Sequence, residues 1–152
     1  MDNQKSIDVL NKLVEINNDR IEGYETALKE TKDNDLKTLF SGFRLTSQNC
    51  KSELENEIRK LGGKPEDGTK VSGKFFRQWM DVKAALTNND RKAILSSCEF
   101  GEDAAKKTYD DTVKDHLQDL PPDLQSLVRN QQTKIHADHD KVRNMRDTAA
   151  GK

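Results

Sequence analysis

The 152-residue sequence predicts an all-α protein: a four-helix bundle of two antiparallel hairpins, joined by a long crossover that holds a short fifth helix. Three observations carry that prediction. Apolar residues recur every three or four positions over long stretches, the rhythm of one helix face. Only 3 Pro and 8 Gly interrupt 152 residues, so the elements are long and the turns few. Clusters of turn residues fall between the periodic stretches: "KDND", "GGKPEDG", "TNND" and "DLPPD".

The first stripe is Ile7, Leu10, Val14, Asn17, Ile21, Tyr24 and Leu28. Its steps of three and four place a helix over about 5–31, with Ser6 as the expected N-cap. "KDND" turns the chain, and Asn34 or Asp35 is placed to cap the second helix. Leu36, Leu39, Phe40, Phe43, Ser47, Cys50, Leu54, Ile58 and Leu61 define that helix, about 35–61. "GGKPEDG" ends it, glycine directly after the last apolar residue and proline shortly beyond.

The next connection is about 30 residues, too long for an ordinary loop. Within it "SGKFFRQWMDVKAAL" predicts a short helix over 72–86. Three of the eight aromatics lie there, Phe75, Phe76 and Trp79, as expected of a core lid or a dimer interface. Ile94, Leu95, Cys98, Glu102, Ala105, Tyr109, Val113 and Leu117 mark the third helix, about 91–117. "DLPPD" breaks it. The fourth, about 122–148, carries Leu124, Leu127, Val128, Gln131, Ile135, His139, Val142 and Met145. Short links join the first to the second helix and the third to the fourth. A long link joins the second to the third, which favours a crossover over an up-down-up-down bundle with a decorated loop. The whole chain, 1–152, reads as one domain.

Charge excludes several function classes. Twenty-six Lys and Arg against 27 Asp and Glu give a net charge of −1. That balance offers no basic face for nucleic acid. No apolar run approaches the ~18 residues of a membrane span, and "MDNQKSIDVL" lacks the apolar core of a signal peptide. Two cysteines are too few for a disulfide scaffold. A cytoplasmic protein with reduced thiols is the expectation. "SGK" at 72–74 lacks the glycine spacing of a phosphate loop.

Each long helix interrupts its stripe with polar residues near the middle: Asn17, then Ser47 and Cys50, then Glu102, then His136 and His139. Burying polar groups costs free energy unless they are bonded, so four interruptions at similar depth imply a shared polar layer. A weak internal repeat accompanies it. Asn17 precedes Tyr24 by seven residues and Glu102 precedes Tyr109 by seven; Ser47 and Cys50 are three apart, as are His136 and His139.

At these residues the chain resembles the ferritin-like superfamily, which includes rubrerythrins and bacterioferritins. The segments "INNDRIEGYETA", "LGGKPEDGT", "DRKAILSSCEFGEDAA" and "LPPDL" resemble more closely a group of small uncharacterised bacterial four-helix-bundle proteins within it. The resemblance implies a di-iron position built from Glu on helices one and three and Glu-x-x-His on helices two and four. Here the first Glu position falls on Asn17, the first pair on Ser47 and Cys50, the second Glu on Glu102, with Glu99 one turn earlier as a substitute, and the second pair on His136 and His139. Asn17 and Ser47 supply no anionic bridge, so the resemblance implies a lapsed site with too little negative charge for two irons.

A zinc site of Cys50, Glu102, His136 and His139 remains chemically possible, since zinc accepts all three ligand types. Against it stands a plainer expectation: His139 as a hydrogen-bonded core histidine and His136 as a surface one. Cys50 and Cys98 read as small buried hydrophobes, or as a redox pair if their Cβ atoms are close and aligned. Glu22, Glu25 and Glu30, and the run "RNMRD", read as solvated faces. The function these features predict is a non-enzymatic scaffold or partner-binding protein, with no cofactor, a homodimer or a docking module, tied to stress by fold analogy. The alternative is a zinc or iron protein with oxidase or peroxidase-type activity using Glu102, His136 and His139.

Overall fold

Long amphipathic stripes fold into long helices. The computed structural model describes residues 3–66, 84 and 91–150. Helix α1 spans Asn3–Glu30, α2 Asn34–Lys60, α3 Arg91–Asp115 and α4 Pro122–Ala150, with a 3-10 turn at Leu117–Asp119 between the last two. No strand occurs among the described residues. The short helix expected at 72–86 lies, but for Ala84, outside them.

The four form a helical bundle. α1 packs chiefly on α2 and α3 chiefly on α4, while α1 also meets α3 and α2 also meets α4. α1 and α3 are antiparallel: the Ser6 hydroxyl donates to the Asp119 carbonyl at one end (2.8 Å), and Arg20 meets Glu102 near the middle. Asp35 and Arg91 form an ion pair at 2.5 Å, so α2 and α3 begin at the same end.

The interior is two apolar clusters. One holds Leu10, Leu13, Val14, Leu54, Ile58, Leu124, Val128 and Ile135, among others. The other holds Ala27, Leu36, Leu39, Phe40, Phe43, Ile94, Leu95 and Val142, with Tyr24 stacked on Phe40 at 5.6 Å between ring centroids. The buried polar residues Asn17, Arg20, Ser47 and Glu102 belong to neither.

Helix ends follow local chemistry, with two departures from expectation. Ser6 is not a cap. It lies inside α1, 1% exposed, where its hydroxyl ties α1 to the α3–α4 link. Asp33, in extended backbone, takes the N-cap position of α2 in place of Asn34 or Asp35, and its N–H donates to the Thr31 hydroxyl. At the other end of α2, Gly62 adopts φ +85°. Its N–H donates to Arg59 and that of Gly63 to Ile58 (3.0 and 2.9 Å), closing both bonds of a Schellman motif. Gly63 then lies so close to Ile7 that a Cβ there would sit 2.8 Å from it. Residues 64–66 run along α1: Asn11 donates to the Lys64 carbonyl (3.1 Å) and accepts from the Glu66 N–H (2.8 Å).

A side chain in left-handed backbone costs about 1–2 kcal/mol. Gly62→Ala should therefore lower the unfolding free energy by about that amount in urea denaturation, and Gly62→Asn by less, since Asn tolerates this conformation.

Candidate functional site

The centre of the bundle is built around a guanidinium. Arg20 projects from α1 and is 1% exposed. Its Nη1 donates to Ser47 Oγ on α2 at 2.7 Å. Its Nη2 donates to Glu102 Oε1 on α3 at 2.7 Å and to Asp138 Oδ2 on α4 at 3.1 Å. One side chain thus ties together all four helices. Tyr24 completes the layer: its hydroxyl donates to the same Glu102 oxygen, and the Arg20 guanidinium lies 5.6 Å from its ring centroid.

Electrostatics follow from burial and pairing. Burial opposes the Arg20 charge, but Glu102, with Tyr24 and Asp138, more than compensates and raises its pKa. Arg20 is therefore a permanent internal cation. Burial raises the Tyr24 hydroxyl well above its ordinary value, and the Glu102 charge adds to this, so Tyr24 stays protonated as a donor. Burial also raises Asp138, outweighing the pull of Arg20.

A second polar chain crosses the bundle beside this layer. Asn17 Nδ2 donates to the Tyr109 hydroxyl, which donates to Gln131 Oε1, both at 2.8 Å. Gln131 Nε2 donates to the Cys50 carbonyl on α2 at 3.1 Å and to Glu53 at 3.3 Å. Again every helix contributes. The amide of Asn17 also donates to its own helix at Leu13.

The histidines stand elsewhere. His136 Nε2 meets Asp110 at 2.6 Å in a half-exposed pair. Asp110 is lowered despite partial burial, by hydrogen bonds from Gln132 and His136. His139, 4% exposed, pairs through Nε2 with Asp103, and its Nδ1 lies 3.4 Å from Asp140. Donor atoms of Glu99, Asp103 and His139 all lie within 4.8 Å of one another, a set whose chemistry can hold a metal ion. Glu99 also pairs with Arg146.

The four residues expected as metal ligands are therefore apportioned differently. Glu102 is bound by Arg20 and Tyr24, His136 by Asp110 and His139 by Asp103. Cys50 is a buried free thiol whose pKa burial pushes up to about 11. Only His139 belongs to the Glu99–Asp103–His139 set. Di-iron does not fit the central layer: Asn17 and Ser47 bring no negative charge, and the Arg20 cation already pairs with Glu102 and Asp138 there. Cys98 is likewise free, buried and raised, and it belongs to the Tyr24 cluster while Leu54, one turn from Cys50, belongs to the other. Both thiols are weak nucleophiles there.

Arg20 and Asp138 are the functional residues that periodicity did not single out. Their spacing held the signal. Arg20 is three residues after Asn17 and four before Tyr24, and Asp138 is three after Ile135 and four before Val142. Both therefore sit on the inward face.

On α1, Asp19 is 6% exposed and its Oδ1 has no hydrogen-bond partner among the described residues. Burial, reinforced by Glu15 and Glu22, pushes its pKa from 3.8 to about 6. The folded state then binds a proton more tightly than the unfolded one. This stability is full below about pH 3.8 and is lost as pH rises through about 6. Asp19→Asn should flatten the fall in melting temperature between pH 4 and 6 and raise it at pH 7, read by thermal denaturation across that range.

No curated protein matches the chain. A family model described as "Domain of unknown function (DUF2383)" matches residues 5–115. The match takes in Arg20, Ser47 and Glu102 and ends with α3, so Asp138 and both α4 histidines lie beyond it. Spanning most of the sequence, it shows that this helical-bundle protein belongs to the DUF2383 family.

Proposed function

We propose that the protein is a non-enzymatic bundle of ferritin-like type, whose lapsed metal layer is held by an internal arginine and which acts through its surface. The observation that carries this reading is the Arg20 guanidinium in contact with Ser47, Glu102 and Asp138. A fixed internal cation neutralises the carboxylates that would otherwise draw a metal. It also pairs with Glu102 Oε1 and Asp138 Oδ2, so the charge of the interior is spent on holding four helices in register.

Two features support the ferritin-like crossover. α2 and α3 begin at one end, marked by Asp35 and Arg91. Residues 64–66 leave the far end along α1, past Asn11. The end of α2 and the start of α3 thus lie at opposite ends of the bundle, as in bundles whose hairpins are joined by a crossover. The reading extends to a bacterial cytoplasmic protein, a homodimer or a module that docks another protein under stress. Among the described residues no helix is long and apolar enough to cross a membrane.

A second reading, an iron or zinc protein with oxidase or peroxidase-type activity, draws on Glu102, His136 and His139. Only His139 lies in a set of possible ligands, with Glu99 and Asp103.

Aerobic oxidation of ferrous iron separates the two. The scaffold reading expects the wild-type protein to oxidise iron at the rate of the buffer control, and Glu102→Gln to do the same. Faster oxidation that persists in His139→Ala and vanishes in Glu102→Gln would place redox chemistry in the central layer and end the scaffold reading.

A further inference from the structure

We propose that Glu99, Asp103 and His139 form a site for one divalent transition-metal ion of zinc type, at the seam between α3 and α4. The site is separate from the Arg20 layer and does not depend on the scaffold reading. Glu99 and Asp103 are four residues apart on α3, so one helix face presents both carboxylates. His139 reaches them from α4, and donor atoms of all three lie within 4.8 Å of one another.

Three features set this group apart from an ordinary acidic surface. The imidazole is 4% exposed, so its Nε2 is held against Asp103 rather than presented to water. The opposite ring nitrogen, Nδ1, lies 3.4 Å from Asp140. A carboxylate at the far nitrogen of a ligating histidine orients the ring and makes the ligating nitrogen a stronger donor. A groove of about 280 Å³ lined by Ser96, Glu99, Asp103 and Arg146 opens at the two carboxylates.

The metal's own requirements fit. Zinc binds nitrogen and oxygen at about 2.0–2.2 Å, which sets neighbouring tetrahedral donors about 3.3 Å apart. Donors within 4.8 Å of one another would close to that separation on binding the ion. Two carboxylates balance the dication, one imidazole supplies the nitrogen, and water takes the fourth position. Arg146 is the competitor, since its Nη1 pairs with Glu99. It has a second anchor: Nε and Nη2 donate to Asp147 at 3.2 and 3.0 Å. An incoming ion can therefore take Glu99 while Arg146 remains paired.

Titration of the metal-stripped full chain with zinc chloride in a calorimeter tests the site. The expected result is one equivalent bound, weakened at least tenfold in His139→Ala and in Asp103→Asn, unchanged in His136→Ala, and tightened in Arg146→Gln. Asp103 is more than half exposed, so its variant retains the fold if His139→Ala does not. No saturable binding in both wild type and Arg146→Gln would overturn the proposal. So would wild-type affinity in Asp103→Asn, or an equal loss in His136→Ala.

Discussion

A single buried cation organises this bundle. Arg20 carries its charge into a layer where it can be tolerated only if anions and donors from the other helices converge on it. They do: Glu102 and Asp138 supply the negative charge, Ser47 a hydroxyl, and Tyr24 a second donor to Glu102. The partners of the guanidinium come from α2, α3 and α4, so its three contacts form in one register of the helices. Sliding any helix by one turn would leave a charge or a polar group stranded in the interior. A buried ion pair of this kind is weak as a source of stability, because desolvation offsets much of the attraction. Its strength lies in what it forbids.

The rest of the architecture serves that layer from both sides. The Leu10–Leu54–Leu124 cluster and the Phe40–Phe43–Ile94 cluster supply the hydrophobic drive and exclude water from the centre. The relay from Asn17 through Tyr109 to Gln131 repeats the same solution, with hydrogen bonds in place of charge. The two relays share one economy: a tyrosine whose hydroxyl burial keeps protonated, and a helix partner that accepts from it. Histidine chemistry is displaced from the centre toward the α3–α4 seam, where His136 and His139 each face an aspartate.

Much of the fold was legible because it rests on periodicity. The ends of α2 and the start of α4 fell within a residue of the turn signals, since Gly62 and Pro122 mark positions that few other residues occupy. Ser6 misled because a serine near a helix start is a cap only when the helix begins beside it; here α1 starts at Asn3 and the hydroxyl is used across the bundle. The polar layer was half legible. Asn17, Ser47 and Glu102 interrupt apolar stripes and so betray themselves. Arg20 and Asp138 stood beside the stripe in a charge-rich sequence, where a charged residue reads as solvent-facing. Spacing alone puts Arg20 on the inward face, but what lets an arginine be buried there is not local: its three partners are 27, 82 and 118 residues away. The Glu99–Asp103–His139 set was hidden for the same reason, its histidine lying 36 residues from Asp103.

A double-mutant cycle between Arg20 and Glu102 tests the central claim most directly, measured as unfolding free energy in urea at neutral pH. If the charge layer fixes the bundle, Arg20→Met strands the Glu102 carboxylate, Glu102→Leu leaves the Arg20 charge to Asp138 alone, and each costs about 3–5 kcal/mol. The double variant, apolar on both sides, should then be no less stable than either single one. Losses that simply add would mean that the two side chains act independently, and the bundle would owe its register to its apolar clusters alone.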